Sequence, residues 1–100
     1  MTDKEKAAEE QVDDERLLPG EDSDSSIPED ALHWAEVYRE LCDFKERAIE
    51  QITDDVVSLG EEARKEIRTT DLVVLRAERD RFRRRAEFWR QRYGRLRAPA

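Results

Sequence analysis

The sequence predicts an all-α protein in which two long antiparallel helices form a coiled-coil-like helical hairpin behind a disordered acidic tail. Apolar residues recur at spacings of three and four over residues 28–59 and again over residues 71–96, which is the period of an amphipathic helix. Two long helices joined by a short connection usually pack antiparallel. Charged residues make up 45% of the chain, so the core of one hairpin is thin. A four-helix bundle formed by a homodimer is the predicted completion.

The acidic tail is predicted to cover residues 1–26. Residues 1–30 hold twelve acidic residues against three basic ones, a net charge of −9, and few large apolar side chains. Such a segment cannot bury enough apolar surface to offset the entropy lost on ordering. Two roles stay open for it: a solubilising tail, or an arm that binds and masks the basic helix at the other end of the chain.

The first long helix is predicted to begin near residue 28, because Ser26–Glu29 matches a capping box with proline in the first turn. It ends at about residue 59, before Gly60, or continues to residue 68. The run Thr69–Asp71 consists of poor interior residues and good caps, so the reversal is predicted within residues 60–71 and favoured at this run. A turn near residue 65 makes the numbers of facing residues sum to about 130.

The second long helix is predicted over about residues 71–96. With Leu72 at position a of a heptad, Tyr93 also falls at a, and Phe82 and Trp89 fall at d. Over both helices, aromatic side chains on the apolar stripes form the predicted core: Trp34, Tyr38, Phe44, Phe82, Trp89 and Tyr93.

A charged residue interrupts the apolar seam of the second helix. Arg79 occupies an a position, where a buried charge needs a partner. The facing position across a hairpin whose numbers sum to about 130 is Glu50. The sequence therefore predicts a structural ion pair between Arg79 and Glu50.

The partner-binding site is predicted on the second helix, away from its seam. Residues 71–100 hold ten arginines against four acids, a net charge of +6. Phe88 falls outside the a and d positions, and Arg81, Arg85 and Arg92 lie close to it on the same face of the helix, one to two turns away. An apolar anchor ringed by arginines is typical of a surface that binds an acidic partner protein. The alternative is that Phe88 packs in the interface of a dimer.

The chemistry-bearing residues favour a protein that is not an enzyme. His33 and Cys42 are nine residues apart, half a turn out of phase on a helix, so they cannot form a nucleophile pair. The three glycines stand far apart, which argues against a phosphate-binding loop. The sequence predicts no catalytic residue, no metal site and no cofactor. It indicates a small adaptor or regulatory interaction module that uses its Arg-rich second helix. The alternative is a nucleic-acid-associated accessory protein whose tail modulates that helix.

Location is predicted from what the sequence contains. No apolar h-region follows the first residues and no stretch approaches a membrane span. The single cysteine suits a reducing compartment. A cytoplasmic protein without membrane contact is the expectation. Fifteen arginines against four lysines suggest a bacterial source.

Overall fold

The computed structural model describes residues 2–10, 12, 13 and 15–98. Within these ranges the chain forms helices, turns and extended connections without a β-strand, which confirms the all-α class. The α-helices are α1 (Asp3–Glu9), α2 (Pro28–Asp55), α3 (Glu61–Glu66) and α4 (Leu72–Arg97). The two long ones, α2 and α4, pack against each other. In the described part of the chain, no helix combines the length and apolar content that crossing a membrane requires.

Helix α2 begins at Pro28, whose missing N–H costs nothing in a first turn. Ser25 supplies the polar contact at this end, where the capping box predicts Ser26. Its Oγ accepts a hydrogen bond from the Ile27 N–H at 3.3 Å and donates one to Asp30 Oδ2 at 2.8 Å. These bonds tie the segment before α2 to the first turn of the helix.

The chain reverses at Leu59 and Gly60, whose backbones are extended with ψ of 159° and 165°. From there one helical run goes from α3 through a π-helical segment, Ile67–Asp71, into α4. The break favoured by the sequence, Thr69–Asp71, lies inside this run. The Thr69 hydroxyl donates to the carbonyl of Lys65 at 2.9 Å, so a side chain expected to cap a helix bonds back into one.

The position of the reversal sets the register of the two long helices. The ring centroids of Tyr38 and Phe82 lie 5.9 Å apart, and their numbers sum to 120. Lys45 Nζ lies 3.4 Å from Glu78 Oε2, a sum of 123. These two sums fall below the predicted value of about 130, as expected of a chain that turns earlier than residue 65, whereas the long side chains of Arg83 and Glu46 meet at a sum of 129.

Most of the predicted aromatic core lies at the interface of α2 and α4. Tyr38, Phe82 and Trp89 are buried together, and Trp34 and Tyr93 pack against them while partly buried. Trp89 and Tyr38 are the largest fully buried side chains among the described residues. The remaining members of the buried cluster are small: Ala31 and Cys42.

Phe44 departs from the predicted core, because 59% of its surface is exposed. At about 100° per residue it points about 120° away from Tyr38 around the helix axis. Cys42, four residues after Tyr38, is buried instead. Spacings of three and four fit an apolar stripe that passes through Tyr38 and continues either to Phe44 or to Cys42. The prediction follows the larger side chain, Phe44, whereas the structure buries Cys42.

The disorder predicted for residues 1–26 is not confirmed. Residues 1, 11 and 14 lie outside the described residues. The segment of residues 15–26, called the arm here, packs against the two long helices, and Glu21 within it is buried. The physical reason is a set of hydrogen bonds that satisfies this acid inside the fold. The packed region therefore extends well before the start of α2.

Candidate partner-binding cleft

A β-turn in the arm positions its buried acid. Leu18–Glu21 carries proline and glycine at its two central positions, and the Glu21 N–H donates to the Leu18 carbonyl at 3.0 Å. Gly20 has φ of +84°, the left-handed conformation that the third position of a type II turn requires and that glycine adopts without strain. The turn directs the Glu21 side chain between α2 and α4.

Each of the two carboxylate oxygens of Glu21 accepts two hydrogen bonds. Oε1 accepts from the hydroxyl of Tyr38 and, at 2.9 Å, from the backbone N–H of Leu18. Oε2 accepts from Nη2 of Arg85 and, at 2.7 Å, from Nε1 of Trp89. The Glu21 side chain has no exposed surface. A buried charge is tolerated when it is paired and hydrogen-bonded in this way.

Arg85 is the cation of this cluster, and 15% of its side chain is exposed. Besides Glu21, its Nη2 donates to Ser23 Oγ at 3.0 Å. Its guanidinium carbon lies 4.4 Å from the ring centroid of Phe88 and 5.8 Å from that of Trp89. These cation–π contacts hold the guanidinium plane while Nη2 donates to the arm, and the buried Nε has no hydrogen-bond partner among the described residues.

Two further arginines bind the backbone of the arm. Arg81 is buried, and its Nη1 donates to the carbonyl of Arg16 at 3.0 Å. Arg92 donates through Nε to the carbonyl of Ser25 at 2.8 Å. We call the surface formed by Tyr38, Arg81, Arg85, Trp89 and Arg92 the Glu21 cleft.

No family model, curated protein or solved structure matches this chain. The donors of the Glu21 cleft suit one carboxylate and the carbonyls of an extended chain on either side of it.

The pKa values of Glu21 and Tyr38 reflect opposite effects of the same contact. Burial raises the pKa of the Glu21 carboxyl, but the hydrogen bonds from Tyr38, Arg85, the Leu18 amide and Trp89 outweigh it and leave the pKa below the ordinary 4.5. Burial first, and then the bond to charged Glu21, raises the pKa of Tyr38 to about 12. The cleft thus favours an ionised acid beside a neutral phenol.

These pKa shifts predict a loss of stability at both extremes of pH. Because the pKa of Glu21 is lowered by folding, its contribution is present above pH 4.5 and lost as pH falls through the folded value. Because the pKa of Tyr38 is raised from 10.0 to about 12, its contribution is present below pH 10 and lost as pH rises toward 12. We expect the stability difference between wild type and Glu21→Gln to shrink below pH 4.5, and that for Tyr38→Phe to shrink above pH 10. Urea denaturation across pH measures both; differences that do not change with pH would contradict the assignment.

The predicted partner-binding residues lie together, but the arm of the same chain occupies their surface. Arg81, Arg85 and Arg92 all donate to it. Phe88 is partly buried, packs against the core and meets Trp89 edge to face at 5.1 Å. The acid that the arginines were expected to find on a partner is supplied in this structure by Glu21.

The predicted pair of Arg79 and Glu50 is not formed. Arg79 donates through Nε to its neighbour Asp80 at 3.0 Å, and Glu50 is exposed. At the sums of 120 and 123 that the Tyr38–Phe82 and Lys45–Glu78 contacts give, Arg79 lies opposite about residues 41–44 and not opposite Glu50. The ion pairs between the long helices are instead those of Lys45 with Glu78 and of Arg83 with Glu46.

Other reactive groups are few in the part of the chain that the structure describes. Cys42 is a buried free cysteine, and burial, followed by the charge of Glu46, raises the pKa of its thiol. A raised pKa disfavours the nucleophilic thiolate. No group of three or more histidine, cysteine or acidic residues in the described ranges is placed to hold a metal ion.

Sequence reasoning missed Glu21, the residue around which the cleft is built. One local signal points to it: Leu17 and Leu18 form the apolar pair of an otherwise acidic tail and stand directly before Pro19 and Gly20. A turn that follows apolar residues indicates a segment that packs. The two leucines followed by a turn distinguish residues 17–20 from the charged residues on either side of them.

Proposed function

We propose that this protein is a non-enzymatic interaction module that binds an acidic segment of another protein along the Arg-rich helix α4. One observation carries the proposal: the Glu21 cleft already holds an acidic segment, that of its own chain. Arg85, Tyr38 and Trp89 receive the carboxylate, and Arg81 and Arg92 receive backbone carbonyls.

The chemistry of the cleft supports a peptide as its ligand. Charge-assisted hydrogen bonds from guanidinium groups to carboxylates are among the strongest polar contacts in proteins. Aromatic and arginine side chains also dominate the binding energy of protein interfaces. Donation to main-chain carbonyls by Arg81 and Arg92 suits an extended polypeptide, because such a chain presents carbonyls at regular intervals.

A nucleic-acid-associated role is the alternative, and it rests on the ten arginines among residues 71–100. Several of these are engaged by acids: Arg83 pairs with Glu46, and Arg90 pairs with Glu87. Trp89 is fully buried, so its ring does not offer a base a face on which to stack. These contacts favour the peptide over the nucleic acid.

The homodimer and the cytoplasmic location stay predictions that accompany this proposal. The arm covers part of the apolar surface that a four-helix bundle would use. A second copy would therefore pack on α2, where the exposed Phe44 offers an aromatic anchor.

The test is binding in trans to a cleft whose own glutamate has been removed. A fluorescent peptide of residues 15–26 is added to the full chain carrying Glu21→Ala, and binding is followed by fluorescence anisotropy. We expect saturable binding, weakened at least about ten-fold when the glutamate of the peptide is replaced by glutamine, because a charge-assisted bond is lost.

Two controls make the result decisive. Arg85→Met in the same chain should abolish binding, since it removes the cation and keeps the apolar stem. A generic DNA duplex should bind weakly; tight duplex binding with a steep salt dependence would favour the nucleic-acid alternative. A Glu21→Ala chain that remains helical by circular dichroism but ignores the peptide would contradict the proposal.

A further inference from the structure

We infer that the arm is a displaceable internal ligand, and that the partner binds by presenting a glutamate at the end of a β-turn that begins with an aliphatic residue. This inference rests on the proposed function and concerns the regulation and specificity of the same cleft. It follows from three features of the way in which the arm is held.

The first feature is the pairing of an apolar and an acidic contact. Leu18 packs against the buried core, and Glu21 enters the cleft three residues later. The β-turn joins them, because the Leu18 N–H donates to Glu21 Oε1 and the Glu21 N–H donates to the Leu18 carbonyl. A ligand with the same two side chains at this spacing reproduces both contacts.

The second feature is the selectivity of the cleft for a carboxylate. All four groups that reach Glu21 are donors: two N–H groups and a hydroxyl from side chains, and one backbone N–H. A glutamine would direct its own NH₂ donors at two of them, and an aspartate is shorter by one methylene. The cleft is therefore specific for glutamate, because buried donors left unpaired are costly.

The third feature is that most of the remaining contacts between the arm and α4 use the arm's backbone; the exception is Ser23 Oγ, which accepts from Arg85 at 3.0 Å. Arg81 and Arg92 bind the backbone carbonyls of Arg16 and Ser25. Every residue type has such a carbonyl, so these contacts do not select for a side chain. Leu17 is exposed. A foreign segment thus reproduces most of these contacts with the aliphatic residue, the turn and the glutamate, and a hydroxyl two residues after the glutamate would add the bond that Ser23 accepts.

Covalent attachment makes the arm a strong competitor. A short tether holds a ligand at an effective concentration in the millimolar range. A peptide that binds the vacant cleft with micromolar affinity must therefore displace the arm in the intact chain, and its apparent affinity is reduced by the fraction of chains whose cleft is open. A millimolar effective concentration against micromolar affinity gives about thousand-fold competition, and we therefore expect wild type to bind the peptide of residues 15–26 roughly a hundred- to a thousand-fold more weakly than Glu21→Ala does.

The experiment measures this ratio in full-length chains with the peptide of residues 15–26 as the probe. Wild type and the Glu21→Ala and Gly20→Ala variants are titrated in parallel. Gly20→Ala keeps every donor and acceptor of the cleft but strains a backbone with φ of +84°, so it should bind the peptide roughly five- to thirty-fold more tightly than wild type does. This second variant gives the answer if Glu21→Ala does not fold.

Site occupancy is read from the indole N–H resonance of Trp89, which bonds to Glu21 in the intact chain. In Glu21→Ala this signal should shift, and added peptide should return it toward its wild-type position. A peptide with Leu18→Ala should bind roughly five- to thirty-fold more weakly than the unchanged peptide, because it lacks the aliphatic contact.

The outcomes separate this inference from the proposed function. Equal affinity in wild type and in both variants would show that the arm does not compete, and the inference would fail while the proposed function stands. Binding that leaves the Trp89 signal unmoved would place the peptide elsewhere and overturn the inference as well. Failure of every chain to bind would overturn both.

Discussion

Replacing Glu21 with alanine is expected to lower the free energy of unfolding by about 3–5 kcal/mol, the usual cost of breaking a buried ion pair from one side. The change leaves Arg85 with its charge and without its acid, and Tyr38 and Trp89 without the acceptor that each now has. Urea denaturation followed by tryptophan fluorescence measures the loss.

Asp24→Asn is the matched control. Asp24 is exposed and lies three residues after Glu21, so the substitution removes one negative charge of the arm without touching the buried contact. It should change the free energy of unfolding by less than about 0.5 kcal/mol. Similar losses for the two substitutions would mean that the net charge of the arm, and not the buried contact of Glu21, stabilises the fold.

Phe82→Ala is expected to cost about 3–5 kcal/mol, whereas Phe44→Ala should cost less than about 1 kcal/mol. Phe82 is 6% exposed and its ring meets Tyr38, while Phe44 is 59% exposed. The sequence places both in one aromatic core, so the pair of variants tests the rotation of α2 directly. Thermal or urea unfolding of the two proteins, in parallel and at one concentration, provides the comparison. Equal losses would mean that Phe44 is buried in an interface in solution. If the loss for Phe44→Ala also depends on protein concentration, that interface belongs to a dimer.

The elements of this fold could be predicted from local sequence patterns, since helical periodicity is set by residues three and four apart. The apolar spacing around Tyr38 and Trp89 therefore indicates two long helices. Which face of α2 is turned toward α4 could be predicted less well, because apolar residues at spacings of three and four lie on more than one face of this helix. Phe44 was assigned by its size, and the small residue Cys42 holds the buried position.

The cleft could be predicted only in part, for a different physical reason. The arginines of α4 are visible as a cluster, because they are neighbours on one helix. Glu21 meets Tyr38, Arg85 and Trp89 across sequence separations of 17, 64 and 68 residues. Such a contact depends on how the whole chain is arranged, and composition alone left open whether the tail is solvated or binds the basic helix.

The direction of the N-terminal segment along α4 also governs how the chain could open. Lys4 pairs with Glu66 at one end of the helical run, and Arg92 holds the Ser25 carbonyl near the other, so the segment runs alongside α4 in the same direction. Opening that starts at Lys4 breaks an exposed ion pair first, and it then breaks the bond from buried Arg81 to the Arg16 carbonyl before it reaches Glu21. The exposed pair of Lys4 contributes little, so the resistance is concentrated at the buried contacts of Arg81 and Glu21. The cleft stays covered until the Glu21 carboxylate leaves it.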